Sequence, residues 1–210
     1  MGISVNDSKL SELALMISGW PGLVSGPADR LIDDSLVLLD HLRGARKLVD
    51  VGSGGGLPGL PLKIARPGLA VTLVEADSGK AAFLVQACAR LGLLDVEVVA
   101  RRAEEVGHDA RYRESFDVAV ARALAPLPVL VELCLPLVRI GGNLLAQKTD
   151  KEDLAAARRA IEVLGGALDS VSPAPSAARV SGTVIAIAKI RATPPGYPRR
   201  SGVPARKPLA

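Results

Sequence analysis

Aromatic side chains are almost missing from this sequence, which holds one tryptophan, two tyrosines and two phenylalanines in 210 residues. A protein that grips its ligand by ring stacking would have only Trp20, Tyr112, Tyr197 and the planes of its arginines for that purpose. Cysteine is as scarce. Cys88 and Cys134 each lie among apolar neighbours, so no disulfide framework is expected, and with His41 and His108 they make no zinc spacing. The expectation is two reduced core thiols and no metal. Long apolar runs are absent too: the longest, 129–138, is interrupted by Glu132 and Pro136, and no basic-then-apolar signal opens the sequence. A soluble cytoplasmic protein without a membrane partner is therefore expected. Acidic residues are missing from 170–210, where seven basic residues stand (Arg179, Lys189, Arg191, Arg199, Arg200, Arg206, Lys207). The chain's net charge of +4 thus hides a mildly acidic body with a basic end, which suits a polyanionic partner.

What is present is organised around one stretch. Lys47-Leu48-Val49-Asp50-Val51 reads as a buried strand that runs into the glycine-rich turn Gly52-Ser53-Gly54-Gly55-Gly56-Leu57-Pro58-Gly59. Glycines remove the Cβ atoms that keep a ligand off the backbone, so the turn is a candidate cradle. Two spacings overlap in it. Gly54-x-Gly56-x-x-Gly59 satisfies the dinucleotide fingerprint, and Asp50-x-Gly52-x-Gly54-x-Gly56 satisfies the acidic-x-Gly-x-Gly-x-Gly pattern of S-adenosylmethionine-dependent methyltransferases. The second fits better. Gly52 follows the strand at once, whereas Gly54 stands three residues beyond Val51 and Pro58 falls where a pyrophosphate would need the helix start. A sharp strand-to-helix turn with no ligand is the plain alternative.

Either side of this stretch the periodicity changes. Helices are predicted over 8–18 and 28–42, the second from Leu31, Ile32, Leu36, Leu39 and Leu42, and both should pack on the sheet. Strands are predicted at 70–75, 96–100, 116–121, 143–148, 168–171 and 183–190, with helices at 79–91, 127–138 and 154–164. That βαβα rhythm calls for an α/β fold with a doubly wound, mostly parallel seven-stranded sheet and an N-terminal helical extension. The expected division is a helical extension over 1–45, a core over 46–192 and an extended, proline-rich basic tail over 193–210, whose basic character could equally be that of an ordinary disordered terminus.

Ligands of an open α/β sheet bind beyond the carboxyl ends of its strands, which selects few residues. Asp50 and the glycine turn follow the first strand, Glu75 ends the second, Arg102-Ala103-Glu104-Glu105 follows the third, Arg122 the fourth, and Gln147-Lys148 ends the fifth. Glu75 stands where a carboxylate takes the ribose hydroxyls of a nucleoside, against the plain reading of a solvated strand end. Ala103 and Glu104 suit an adenine ring whose amine needs an acceptor. Arg122 enters the mouth of the sheet, where a buried cation needs a carboxylate, either a ligand's or that of Glu104 or Asp50.

Taken together, Asp50-Val-Gly-Ser-Gly-Gly-Gly-Leu-Pro-Gly59-Leu-Pro61, Lys80-x-x-Phe83-Leu84, Arg102-Ala-Glu-Glu105, Asp117-x-x-x-Ala-Arg122-Ala123, Lys148 and Tyr197-Pro-Arg-Arg-x-Gly-x-Pro204 resemble the GidB/RsmG family of bacterial 16S ribosomal RNA guanine-N7 methyltransferases. The resemblance spans nearly the whole chain. It implies a class I, Rossmann-like methyltransferase fold, the cofactor S-adenosylmethionine, and 16S rRNA or a small ribosomal subunit as partner. Cofactor-binding candidates are then Asp50, Gly52, Gly54, Gly56, Leu57, Glu75, Ala103, Glu104 and Arg122, with Arg122 and Lys148 as orienting groups and no acid or base assigned. Arg199, Arg200, Arg206 and Lys207 are the RNA-binding candidates. Two departures stand out: Gly22-Leu23-Val24 and Arg30-Leu31 replace the family's Asn-Leu-Thr and Arg-His ahead of Asp34-Ser35, and Lys148-Thr149 replaces Lys-Gly. A methyltransferase of another RNA or a small molecule, and a non-catalytic RNA-binding protein, are the rival readings.

Overall fold

The computed structural model describes residues 5–42 and 44–209; the first four residues of the expected extension, Arg43, and the last residue of the expected tail lie outside them. Seven strands build one sheet: β1 (Lys47–Val51), β2 (Ala70–Val74), β3 (Val96–Val99), β4 (Phe116–Arg122), β5 (Val138–Thr149), β6 (Gly166–Pro173) and β7 (Gly182–Lys189). Their order is β3-β2-β1-β4-β5-β7-β6. Strands β1 to β5 are parallel, and β7 lies antiparallel between β5 and β6. Asp117 sets one register from its side chain, since its Oδ2 accepts the backbone N–H groups of Arg46 (2.8 Å) and Lys47 (2.9 Å) where β1 starts.

Strand alternation divides the core in two. Leu48, Leu73, Val118, Val120 and Leu145 join the cluster on one face; Val49, Val51, Ala119, Ala121 and Leu144 join the cluster on the other. The first face is covered by α1 (Val5–Ser18), α2 (Ala28–Leu36), α3 (Gly59–Ala65) and α4 (Ser78–Arg90), through residues such as Leu13, Ile17, Ile32, Leu60 and Phe83. The second is covered by α5 (Ala103–Val106), α6 (Leu127–Cys134) and α7 (Leu154–Val163). The N-terminal helices are thus part of the core, as their apolar spacing predicts. Local signals start two helices: the Asp77 carboxylate accepts the Lys80 N–H at 2.9 Å ahead of α4, and Asp153 accepts the Ala156 N–H at 3.1 Å ahead of α7.

Four predicted elements differ. The helix over 28–42 stops at Leu36 and continues as a turn and a short 3-10 segment at Leu39–His41, with Ser35 Oγ donating back to the Leu31 carbonyl at 2.8 Å; such back-bonding competes with helix continuation. The helix over 127–138 ends at Cys134 because Pro136 has no N–H for the next turn, and β5 begins at Val138, before the predicted 143. The tail over 193–209 is not extended: it folds onto the body and carries the short helix α8 (Val203–Arg206). Among the described residues no helix is long and apolar enough to cross a membrane.

Candidate functional site

From the parallel neighbours β1 and β4 the chain proceeds to opposite sides of the strand order, β1 to β2 and β4 to β5, which is where an open α/β sheet forms its crevice. A cavity of about 660 Å³ lies there. Its floor is the glycine turn. Gly52 and Ser53 donate their N–H groups to the Val74 carbonyl (2.8 and 3.1 Å), which folds the turn over the end of β2. Gly54 has φ +54° and donates to Glu75 Oε2 at 2.8 Å, while Glu75 Oε1 accepts the Asp77 N–H at 2.8 Å. A Cβ built on Gly54 would meet nothing nearer than 3.9 Å, and at that distance only the Gly52 and Leu23 carbonyl oxygens, so no side chain packs against that face of the turn. At Gly52 and Gly56 a Cβ would instead strike Leu124 and Leu60, so these two glycines serve close packing.

The walls include residues from several other places. Ala103 and Glu104 open α5, Arg122 ends β4, Leu23 to Ser25 come from the connection between α1 and α2, and Gly202 and Ala205 come from the C-terminal segment. Beyond Arg122 the chain turns sharply through Ala123 at φ +52°, a conformation that costs a non-glycine residue about 1 kcal/mol or more and is held here at the cavity's edge.

The electrostatics of the site are set by burial. Asp50 is fully buried; its Oδ2 accepts the Gly59 N–H at 2.9 Å, and desolvation pushes its pKa up to about 7. Arg122 is mostly buried, and desolvation pulls its guanidinium below its ordinary range, opposed chiefly by Asp34, whose Oδ2 lies 3.5 Å from Nη1. Arg122 Nε is buried and has no hydrogen-bond partner. A glycine with no side chain packed against it, a strand-end carboxylate and a mostly buried cation thus line one cavity.

Residues 27–179 match the family model described as rRNA small subunit methyltransferase G. The chain belongs to that family. Two relatives carry the name Ribosomal RNA small subunit methyltransferase G: one from Roseiflexus sp. (strain RS-1) is 49% identical over 81% of this chain and 77% of its own length. The other, from Rubrobacter xylanophilus, is 41% identical over 96% of this chain and 83% of its own. Among solved structures, the O-methyltransferase TomG from Streptomyces achromogenes, in complex with SAM, superposes with a TM-score of 0.60 at 21% identity, covering 87% of this chain and 90% of its own. The ribosomal protein L11 methylase from Lactobacillus delbrueckii subsp. bulgaricus gives 0.59 at 18% identity, covering 81% and 83%. The fold is therefore that of a class I methyltransferase, as expected.

Within this member of the family, Gly52, Gly54, Leu57, Glu75, Ala103, Glu104 and Arg122 come together around the cavity. Asp50 and Gly56 do not line it. The Asp50 carboxylate is spent on the start of α3, and Gly56 packs under Leu60. Lys148 does not line it either: its Nζ donates to the Ala125 carbonyl at 2.5 Å and pairs with Glu152 at 3.0 Å, bracing the loop beyond Arg122. Arg122 meets neither Glu104 nor Asp50 in an ion pair; its partner is Asp34, a residue read only as part of a motif.

Arg199 is the largest departure. Its N–H and guanidinium close on Glu132, a fully buried acid of α6, with bonds of 2.5 to 3.2 Å. It is a structural cation and not a free one. The rest of the segment is held as firmly. Arg113 donates to the carbonyls of Thr193, Pro194 and Tyr197, His108 Nε2 lies 2.6 Å from the Pro198 carbonyl, and Gly202 donates to Glu104 Oε1 at 2.8 Å. Any Cβ at Gly107 would run into the Pro198 ring at 2.8 Å. Arg200, Arg206 and Lys207 remain exposed on this strap, and so does Arg102 at the cavity. Glu132, set in an otherwise apolar helix, was the one available signal of a buried cation to come.

Proposed function

We propose that this chain transfers the methyl group of S-adenosylmethionine to N7 of a guanine in 16S ribosomal RNA. The observation that carries the reading is that Gly54, with no side chain packed against its turn, and Arg122 line one cavity, in a chain that belongs to a family of rRNA methyltransferases. The residues fit the cofactor: the volume lies in the range of small-molecule sites, and Arg122, a mostly buried cation, lines it. When bound, the cofactor supplies an electrophilic sulfonium methyl. Gly52, Gly54 and Leu57 would admit it against the backbone, Glu75 would take the ribose hydroxyls, Ala103 and Glu104 the adenine, and Arg122 the carboxylate.

Guanine N7 carries a lone pair and no proton at neutral pH, so the chain has to position and exclude water, with no base to provide. Asp50 and Lys148, both outside the cavity lining, are consistent with that economy. N7 faces the deep, narrow groove of an A-form helix, so the target guanine must be presented in an opened region of RNA. Arg102 lines the cavity, and Arg200, Arg206 and Lys207 are exposed on the strap whose Gly202 and Ala205 form part of its wall; these cations would meet phosphates. In this reading the α1–α2 region and the strap over 193–209 both complete a site whose floor belongs to the core expected over 46–192. The test is mass mapping of 16S rRNA from cells with and without the gene. One N7-methylguanine that disappears with the gene and returns on complementation is the expected result; an unchanged methylation map refutes it.

A further inference from the structure

Asp34 pairs with the cavity-lining Arg122, yet it does not itself line the cavity. It sits on α2 and is fully buried. Its backbone carbonyl accepts Gln147 Nε2 at 2.6 Å, which ties α2 to β5. Its Oδ1 accepts Ser176 Oγ (2.6 Å), Arg179 Nε (3.1 Å) and Arg179 Nη2 (3.0 Å), which ties it to the loop between β6 and β7. Arg179 also donates to the Lys148 carbonyl at 2.8 Å. The other oxygen, Oδ2, is buried, accepts no hydrogen bond and faces Arg122 Nη1 at 3.5 Å. One carboxylate therefore serves two guanidinium groups unequally. Arg179 takes the close contacts, and Arg122 is attracted to one edge but not saturated.

We propose that Asp34 is a positioning residue for the transfer reaction: shared with Arg179, it holds Arg122 at the cavity wall while leaving that guanidinium's charge incompletely compensated and available to the carboxylate of the cofactor. The inference rests on the cofactor reading of Arg122 given above. Physically, a buried arginine with no anion beside it would swing toward water, and one with a carboxylate of its own would be neutralised. Sharing gives a third state. Two cations to one anion leave a positive remainder beside the cavity, where a ligand's carboxylate is the complement. The N-terminal helical extension would then contribute directly to cofactor recognition through α2.

The test compares two ligands that differ at the amino-acid end, S-adenosylhomocysteine and 5′-methylthioadenosine, by calorimetric titration of the full chain. The quantity read is the ratio of their affinities, which a general loosening of the fold does not move selectively. Arg122→Gln should lower the ratio on the order of tenfold, the worth of a charge-assisted hydrogen bond. If it does not, the cofactor reading of Arg122 fails, and the inference with it. With Arg122 so established, Asp34→Asn should lower the ratio by a similar factor, because the new amide N–H groups would face the donors of Arg122, and Asp34→Glu should restore part of it. An Asp34→Asn ratio equal to or above that of the parent overturns the inference. Arg179→Gln provides the second arm, and decides the matter alone if Asp34→Asn does not fold: Asp34 should close on Arg122 and the ratio should fall. An unchanged ratio in Arg179→Gln overturns the proposal.

Discussion

The glycine turn and the C-terminal strap both border the cavity, but they are held in place over very different distances along the chain. Gly54 is bonded to a carboxylate 21 residues away and Gly59 to one 9 residues away. Arg199 reaches its partner across 67 residues, Pro198 across 90 and Gly202 across 98. A turn of the first kind is written in its own residues. A strap of the second kind depends on acids and arginines placed elsewhere, and its composition alone resembles that of a loose, solvated tail. The difference predicts different consequences when each is disturbed.

Arg199→Ala should have the largest effect, because it leaves Glu132 charged and buried without a partner. A loss of about 3–5 kcal/mol in folding stability is expected, measured by denaturant unfolding; a change under about 0.5 kcal/mol would mean that the strap is not anchored there. Asp50 tests the turn's foundation. Its pKa in the fold is about 7 against an ordinary 3.8, so the folded state keeps a proton that the unfolded chain releases. A raised acid pKa makes stability fall as pH rises from about 4 to about 7, by up to roughly 4 kcal/mol at about 1.4 kcal/mol per pH unit. Asp50→Asn should remove that slope while still accepting the Gly59 N–H. Parallel stability curves for the two proteins between pH 4 and 8 would contradict it.

Gly54→Val should leave the fold recognisable by circular dichroism but weaken cofactor binding at least about 100-fold, or ~2.7 kcal/mol, since the new side chain takes up the face of the turn against which no side chain packs. Unchanged affinity for S-adenosylhomocysteine would show that the glycines serve the turn only. The smallest effect on stability is expected from Arg200→Ala with Arg206→Ala, both exposed: within about 0.5 kcal/mol, with the salt slope of RNA binding flattened by up to about two. A steep stability loss with an unaltered slope would place these arginines with Arg199.

Local chemistry explains what could be read in advance. The short apolar run around Leu48, Val49 and Val51, the glycines after it and Glu75 beyond the next strand specify a strand, a turn and a facing carboxylate within about thirty residues, and all are found in those places. The roles of Asp50 and Gly56 were not legible, because only three-dimensional packing shows that one carboxylate points at α3 and one glycine lies under Leu60. Arg122 was readable as a buried cation, but its partner Asp34 is 88 positions earlier, on a helix whose acidic residues look alike in sequence. Leu42 and Pro136 show the other limit: apolar spacing marks which residues turn inward, yet whether the backbone does so as a helix or as 3-10 turns is settled by single hydroxyls and missing N–H groups.

The most direct test of the central claim is methyl transfer itself. Small ribosomal subunits from cells lacking the gene are incubated with the purified chain and methyl-labelled S-adenosylmethionine, and the 16S rRNA is digested and its nucleosides weighed by mass spectrometry. The account expects label in N7-methylguanosine alone, approaching one per 16S molecule, and none with the Gly54→Val protein. Label in another nucleoside or in ribosomal protein, or no transfer by a chain that binds S-adenosylhomocysteine, would contradict it.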